Sequence, residues 1–179
     1  MKTERQIALE KFRDYVISQA KANLTRMHKR SSSKLYNSIK GEVKEMPNSI
    51  RLGFDMDEYG FFQDQGVKGA GGVRSTTSKF KRTNNKGKIW KQNAPNSPFS
   101  FKANRKPSVK HFKVWAESKG LNPFAVRESV FRQGIKPSLF FTKPFEKAFK
   151  DLPDDLIEAF GLDAVETFNT IMNENFKKK

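Results

Sequence analysis

The spacing of apolar residues near the start of the chain predicts one long helix. Over residues 3–29, apolar side chains recur every three to five positions with charges between them, as in a helix with one face in a core. Its members are Ile7, Phe12, Tyr15, Val16, Ala20, Leu24 and Met27. The serines at 31–33 interrupt this pattern and offer an N-cap for a short helix over 34–39, which Gly41 would end.

Short apolar runs follow, and they predict a β-hairpin. Residues 43–46 and 50–54 have strand-like composition and flank Pro47 and Asn48, which favour a turn. Asp55 and Asp57 then stand where a helix N-terminus favours acidic residues. A helix over 58–65 would end at Gly66, because glycine readily terminates a helix.

The second half of the chain predicts further helices. Ser108 is placed to cap one helix that Gly120 stops, and Asn122 with Pro123 is placed to begin another that ends at Gly134. The inward residues of these two helices would be Phe112, Trp115, Ala116, Phe124, Val126, Val130 and Phe131. A strand over 139–141 and a helix over 142–149 follow. Pro153 opens a last helix with Leu156, Ile157, Phe160, Val165, Phe168, Ile171 and Met172 inward.

These elements predict an α+β fold in which a small antiparallel sheet packs with several helices. Between them, residues 66–107 are rich in Gly, Ser, Thr, Asn and Lys and are far longer than an ordinary loop. We call this segment the basic arm, and we expect it to be extended. The chain would then be one domain in three parts, with 1–65 and 108–179 flanking the basic arm at 66–107.

Composition narrows the class of protein. The 179 residues include 17 Phe and no Cys, which argues against full disorder and against a disulfide scaffold, thiol catalysis or a Cys-based zinc site. No apolar run reaches the length that crosses a bilayer, and the first residues do not look like a signal peptide, so no membrane partner is expected.

The net charge of +16 is unevenly distributed along the chain. Residues 66–113 hold 13 basic and no acidic side chains, whereas residues 151–176 hold seven acidic and no basic ones. The two blocks could face each other in one subunit or make a head-to-tail contact between subunits. The alternative is that both are solvated surface that keeps the protein soluble.

Basic and aromatic residues are interleaved in the basic arm, and two functions fit that pattern. Its residues could follow phosphates and stack on bases with little sequence specificity, or its aromatic side chains could anchor the arm on a neighbouring subunit. The candidate binding residues are Lys68, Arg74, Lys79, Phe80, Lys81, Arg82, Lys88, Trp90, Lys91, Phe99 and Phe101. The candidate acidic face that would complement them consists of Asp151, Asp154, Asp155 and Glu158.

Catalytic patterns are scarce, and we do not expect an enzyme or a cofactor. The two histidines, His28 and His111, lie among basic residues, and no nucleophile motif supports a catalytic triad. The acidic cluster at 55–64 lacks EF-hand spacing, so helix capping is its simpler explanation. The glycines at 66, 69, 71 and 72 lack the ending of a phosphate-binding loop and are interpreted as a flexible hinge.

Two stretches resemble a known family. One is EYGFFQDQGV at 58–67, in which Tyr59, Asp64 and Gly66 match. The other is GIKPSLFFTKPFEKA at 134–148, in which Pro137, Phe140, Phe141 and Pro144 match. Their order resembles the bacteriophage head–tail connector family, also called neck or tail-completion proteins, although the loop between the motifs is unusually long here.

The resemblance implies a virion structural protein without chemistry or cofactor. Such a subunit would form a homo-oligomeric ring between the portal or an adaptor protein and the tail protein, with the DNA channel inside. It would be assembled in the bacterial cytoplasm and end in the virion, with at most non-specific contact to packaged DNA. A basic, weakly specific nucleic-acid-binding protein is the alternative.

Overall fold

The structure is a computed structural model, and it describes residues 4–27, 33–46, 49–72, 89–154 and 157. The described residues combine helices with short antiparallel strands, which confirms the predicted α+β class, but the strands form two separate two-stranded sheets. In chain order the elements are α1 (Glu4–Arg26), α2 (Lys34–Ser38), β1 (Lys40–Met46), β2 (Ser49–Asp55), α3 (Tyr59–Gln65), β3 (Val67–Lys68), α4 (Lys110–Ser118), α5 (Pro123–Gln133), β4 (Gly134–Ile135) and α6 (Thr142–Lys150).

The chain divides into two compact units. Unit 1 consists of Met1–Asp64 and Leu139–Lys179, and unit 2 consists of Gln65–Ser138. Unit 2 is therefore an insertion in the sequence of unit 1, and both of its boundaries fall within the stretches that carry the family resemblance.

Unit 1 has a core dominated by phenylalanine. The predicted helix at the start of the chain is α1, and it buries one face, made of Leu9, Phe12, Val16, Ala20 and Leu24. The Phe145 ring on α6 lies 5.3 Å from Phe12 and 6.2 Å from both Phe54 and Phe141, measured between ring centroids. Aromatic rings in such edge-on and offset contacts stabilise a core beyond the area that they bury.

The predicted hairpin is present, and its strands are longer than expected. β1 and β2 pair antiparallel, from Lys40 opposite Asp55 to Met46 opposite Ser49. Phe54 on β2 is buried, which joins the hairpin to the phenylalanine core. The predicted turn at Pro47 and Asn48 lies outside the described residues.

Three local predictions in unit 1 are wrong. Ser33 has a left-handed backbone, with φ 52°, and its side chain does not cap α2. Gly41 does not end α2, because Ile39 is already extended and Gly41 lies within β1. The strand predicted at 139–141 is instead a turn into α6, since Leu139 has a left-handed φ of 52°.

Unit 2 contains a helical hairpin that consists of α4 and α5. The start of α5 was predicted correctly. The Asn122 side chain accepts a hydrogen bond from Phe124 N at 2.9 Å, and Pro123 is the first residue of α5, as expected. The inward orientation predicted for Trp115 and Phe124 is wrong, because both side chains are exposed. The only buried residue of α4 is Ala116, and the only buried residue of α5 is Phe131.

The last predicted helix is described only at its beginning. Ile157 N donates to Pro153 O at 3.2 Å, which is the hydrogen bond of a first helical turn. Ile157 packs, partly buried, against the core of unit 1. The other inward residues predicted between 158 and 172, together with Leu156, lie outside the described residues.

Candidate functional site

A buried carboxylate joins the two stretches that carry the resemblance. Asp64, on the last turn of α3, is 1% exposed. Its Oδ1 accepts hydrogen bonds from Phe141 N at 2.8 Å and Thr142 N at 3.2 Å, and its Oδ2 accepts one from the Thr142 hydroxyl. These donors lie at the N-terminus of α6, where backbone N–H groups lack helical partners and a negative charge is favoured.

A backbone hydrogen bond joins the two parts of unit 1 that unit 2 separates in the sequence. Leu139 N donates to Asp64 O at 3.0 Å, so the last residue of unit 1 before the insertion is bonded to the first residue after it. The left-handed Leu139 then turns the chain so that Phe141 and Thr142 reach the Asp64 carboxylate.

The other motif residues in unit 1 support this junction through packing. Phe140 and Phe141 are buried in the phenylalanine core, and Pro144 is buried in the first turn of α6. Proline is tolerated there because the N–H groups of a first helical turn have no acceptor within the helix. Tyr59 begins α3 and is 38% exposed, so it is the motif residue that unit 1 leaves at the surface.

Gly66 and Gly69, interpreted from the sequence as part of a flexible hinge, lie where the backbone leaves no room for a side chain. Gly66 has φ 73°, and a Cβ there would lie 2.5 Å from Ile135 O. A Cβ on Gly69 would lie 2.2 Å from Arg132 O. Glycine is needed at both positions because the backbone of this segment approaches that of α5 and β4 too closely for a side chain.

The described flanks of the basic arm fold within unit 2, and the middle of the arm, residues 73–88, lies outside the described residues. Lys68 N donates to Phe99 O at 2.7 Å, and Phe101 N donates to Lys68 O at 3.0 Å. The Gln92 side chain accepts from Gly69 N at 2.8 Å and donates to Arg132 O at 2.9 Å. The physical reason is that the backbone polar groups of both flanks find partners on each other and on α5.

The candidate residues of the basic arm fall into three groups. Lys68 and Lys91 are exposed, whereas Trp90, Phe99 and Phe101 are half-buried. The Phe101 ring lies 6.0 Å from the buried Phe131 ring, so it serves the core of unit 2. Arg74, Lys79, Phe80, Lys81, Arg82 and Lys88 lie outside the described residues.

The predicted acidic face is described in part. Asp151 and Asp154 are exposed at and after the end of α6, and Asp155 and Glu158 lie outside the described residues. Asp151 and Asp154 belong to unit 1, whereas the basic arm belongs to unit 2.

The two units differ sharply in charge. Residues 65–138 contain 17 basic and two acidic side chains, a net charge of +15. The rest of the chain contains 18 basic and 17 acidic side chains, a net charge of +1. Nearly all of the excess positive charge of the protein is therefore in the inserted unit.

Glu128, one of the two acidic residues of unit 2, forms ion pairs with two basic residues. Glu128 pairs with Lys106 Nζ at 2.7 Å and with Arg132 Nε at 3.0 Å. Partial burial acts to raise the pKa of this carboxyl, but the hydrogen bonds from Lys106 and Arg132 outweigh it, and the pKa is lowered. The same two cations lie over the Phe131 ring, at 5.6 and 5.4 Å from its centroid.

A cluster of exposed apolar side chains was missed by the sequence analysis. Val114 and Trp115 lie in the second half of α4, Leu121 lies in the turn, and Phe124 lies at the start of α5. Helical periodicity placed Trp115 and Phe124 in a core, and the signal against it was the short length of α4.

Unit 1 has a groove of about 560 Å³ beside α1 and α6. Its walls are mainly apolar and include Ile7, Tyr15 and Leu152, with Glu4 and Asp151 at the edge. Among the described residues, no group of three or more His, Cys, Asp or Glu is arranged to hold a metal ion. No helix within the same ranges is long and apolar enough to span a membrane.

Comparison with known proteins gives no relative: no family model, no curated protein and no solved structure matches this chain.

Proposed function

We propose that this chain is a structural subunit of a bacteriophage neck, a head–tail connector that forms a ring around the DNA channel. One observation carries the proposal. The two stretches that resemble that family are 77 residues apart at Asp64 and Phe141, yet the Asp64 carboxylate binds the N-terminus of α6. Asp64 and Phe141, one matching residue from each stretch, thus meet within unit 1, and this contact supports the interpretation of the two stretches as parts of one motif.

In this proposal unit 1 is the framework of the subunit, and unit 2 is an insertion that contributes charged surface. The partners would be other copies of the chain, the portal or an adaptor protein, and the tail protein. The location would be the virion, after assembly in the bacterial cytoplasm. A ring requires a heterologous interface, in which two different surfaces of one subunit meet those of its neighbours.

Electron microscopy of assembled particles tests the proposal. The purified chain would be mixed with the portal and tail proteins encoded in the same genome, and with each of them alone. We expect a ring of this chain on the portal, and unjoined heads and tails from a genome that lacks its gene. A complete, infectious particle without this chain would reject the proposal.

A second function, weakly specific binding of nucleic acid, is favoured by the net charge of +15 in unit 2. Lysine and arginine side chains that neutralise phosphates release counterions, so the affinity falls steeply as salt rises. A titration with random duplex DNA at several salt concentrations tests this function. A steep salt slope from a stable monomer supports it, and absence of a complex at low salt rejects it.

A further inference from the structure

We infer that the end of the helical hairpin in unit 2 is the docking surface for the acidic segment of a second copy of this chain. We call the docking surface the hairpin tip, residues 113–127, and the acidic segment is 151–176. The inference rests on the proposed function, because it names the head-to-tail contact that a ring requires.

The hairpin tip carries a concentration of exposed apolar side chains. Val114 is 81% exposed, Trp115 49%, Leu121 47% and Phe124 62%. These four are half of the eight exposed large hydrophobics in the described part of the chain, and they fall within eleven residues. Val114 and Trp115 lie in the second half of α4. Because α4 and α5 pack together as a hairpin, Leu121 in the turn and Phe124 at the start of α5 lie at the end of the pair that this half approaches. Such an apolar surface is typical of a protein interface.

The hairpin tip is also basic. Lys113, Lys119 and Arg127 outnumber the one acid of the tip, Glu117. The Arg127 guanidinium carbon lies 5.6 Å from the centroid of the exposed Phe124 ring. Arg127 Nε is buried and has no hydrogen-bond partner among the described residues. A cation on an aromatic ring without a carboxylate fits a partner that brings both apolar and acidic side chains.

The acidic segment has both properties. It contains seven acidic and no basic side chains, together with Leu156, Phe160, Leu162, Val165, Phe168, Ile171 and Met172, whereas its Leu152 and Ile157 already pack in unit 1. The segment begins in unit 1, where Asp151 and Asp154 are exposed, and most of it lies outside the described residues. Opposite charge sets the orientation and register of such a contact, and the apolar anchors supply most of its affinity.

A protein segment fits this surface better than nucleic acid does. Bases stack on aromatic rings, and Trp115 and Phe124 would serve that purpose. Val114 and Leu121 are aliphatic, however, and the most exposed of the four is Val114. Aliphatic side chains gain from covering by other apolar side chains, which the acidic segment supplies and a phosphate backbone does not.

Reciprocal charge reversal tests the contact in the full chain. One variant combines Lys113→Glu with Lys119→Glu, and the other combines Asp154→Lys with Asp155→Lys. We expect each variant alone to self-associate about tenfold more weakly than the unchanged chain in sedimentation velocity, because like charges then oppose each other. Mixing the two variants restores association, because each reversed surface meets a complementary one on the other copy. Lys102→Glu with Arg105→Glu is the matched control, with the same charge change on exposed residues outside the tip.

Disulfide trapping provides a second readout, because the chain has no cysteine of its own. Oxidation of a mixture of Leu121→Cys and Glu158→Cys chains should give a heterodimer. Asn104→Cys, which is exposed in unit 2 outside the tip, should not trap Glu158→Cys.

Several results would overturn the inference. These are an unchanged chain that stays monomeric at high concentration, variants that do not rescue each other, and a tip variant that loses DNA binding instead of association. Pairing within one chain would also overturn it, and a Leu121→Cys/Glu158→Cys double variant that forms only an internal disulfide would reveal it. If the tip variant still forms rings on the portal, the interface inference fails while the proposed function stands.

Discussion

The two units are stabilised by different kinds of interaction. Unit 1 buries a connected set of phenylalanine rings on α1, β2 and α6 and carries a net charge of only +1. Unit 2 buries few large side chains, Phe131 above all, and carries +15. Its segments are joined largely by hydrogen bonds, such as those that Gln92 makes to Gly69 and Arg132.

The two units differ in how their net charge affects their stability. A unit with a large apolar core tolerates changes at its surface, whereas a small unit with much like charge opposes its own compaction. Charge repulsion in unit 2 is a cost that a free-standing domain would avoid. In the proposed function, a partner of opposite charge removes that cost when the hairpin tip of unit 2 meets the acidic segment of a second copy.

The largest expected effect comes from breaking the core of unit 1. Phe145→Ala removes a ring that contacts Phe12, Phe54, Phe141 and Phe149, and it should lower the free energy of unfolding by about 3–5 kcal/mol. Urea unfolding followed by circular dichroism measures this. Phe124→Ala, at an exposed phenylalanine of unit 2, is the control and should change stability by less than about 0.5 kcal/mol. Equal losses in the two variants would contradict the comparison.

The junction at Asp64 should give the next largest effect. Asp64→Ala leaves Phe141 N and Thr142 N without their acceptor inside unit 1, at a cost of about 2–3 kcal/mol. Thr142→Ser is the matched control, because it keeps the hydroxyl that donates a hydrogen bond to Asp64. A stability of Asp64→Ala equal to that of Thr142→Ser would show that the carboxylate does not hold α6.

A smaller effect, confined to unit 2, should follow from Gln92→Ala. The change leaves Gly69 N without its acceptor and removes one of the two hydrogen bonds to Arg132 O, and it should destabilise unit 2 by about 1–3 kcal/mol. Native-state hydrogen exchange resolves the two units. We expect faster exchange at Ala70 and Gly71, whose amides bond to α5, and unchanged exchange at Phe141. Faster exchange at Phe141 as well would mean that the units do not unfold separately.

The smallest effect is a pH dependence of unit 2. The lowered pKa of Glu128 means that its ionised form is favoured in the folded state. Its contribution to stability is complete above the ordinary pKa of a glutamate and is lost as the pH falls through the lowered value. Exchange protection in unit 2 should therefore fall at acidic pH, and Glu128→Gln should flatten that part of the profile. An identical acid profile in the variant would exclude Glu128 as the group responsible.

The sequence predicted several elements of both units well because periodicity and turn residues act locally. The face of α1, the hairpin and the start of α5 at Asn122 all follow from such signals. The partner of Asp64 did not follow, since 77 residues separate it from Phe141 and only the folded chain brings them together. Trp115 and Phe124 were misassigned for a related reason: periodicity shows that a helix has an apolar face but not whether the protein covers it.

The contacts of the basic arm did not follow from its composition. Gly, Asn and Lys favour an extended loop, but the hydrogen bond from Gln92 to Arg132 O and the close approach at Gly69 depend on residues in α5. A deletion of the arm alone would therefore remove one half of unit 2 and leave the other half without its hydrogen-bond partners.

Removal of the whole of unit 2 tests whether unit 1 folds by itself and whether association between copies requires unit 2. In such a variant Asp64 is joined to Leu139 through a short glycine linker, which the hydrogen bond between Leu139 N and Asp64 O permits. Sedimentation velocity in the presence of the portal protein, on material checked for helix content, is the measurement. We expect a folded unit 1 that no longer associates with other copies. A variant that fails to fold, or one that assembles as well as the full chain, would contradict this expectation.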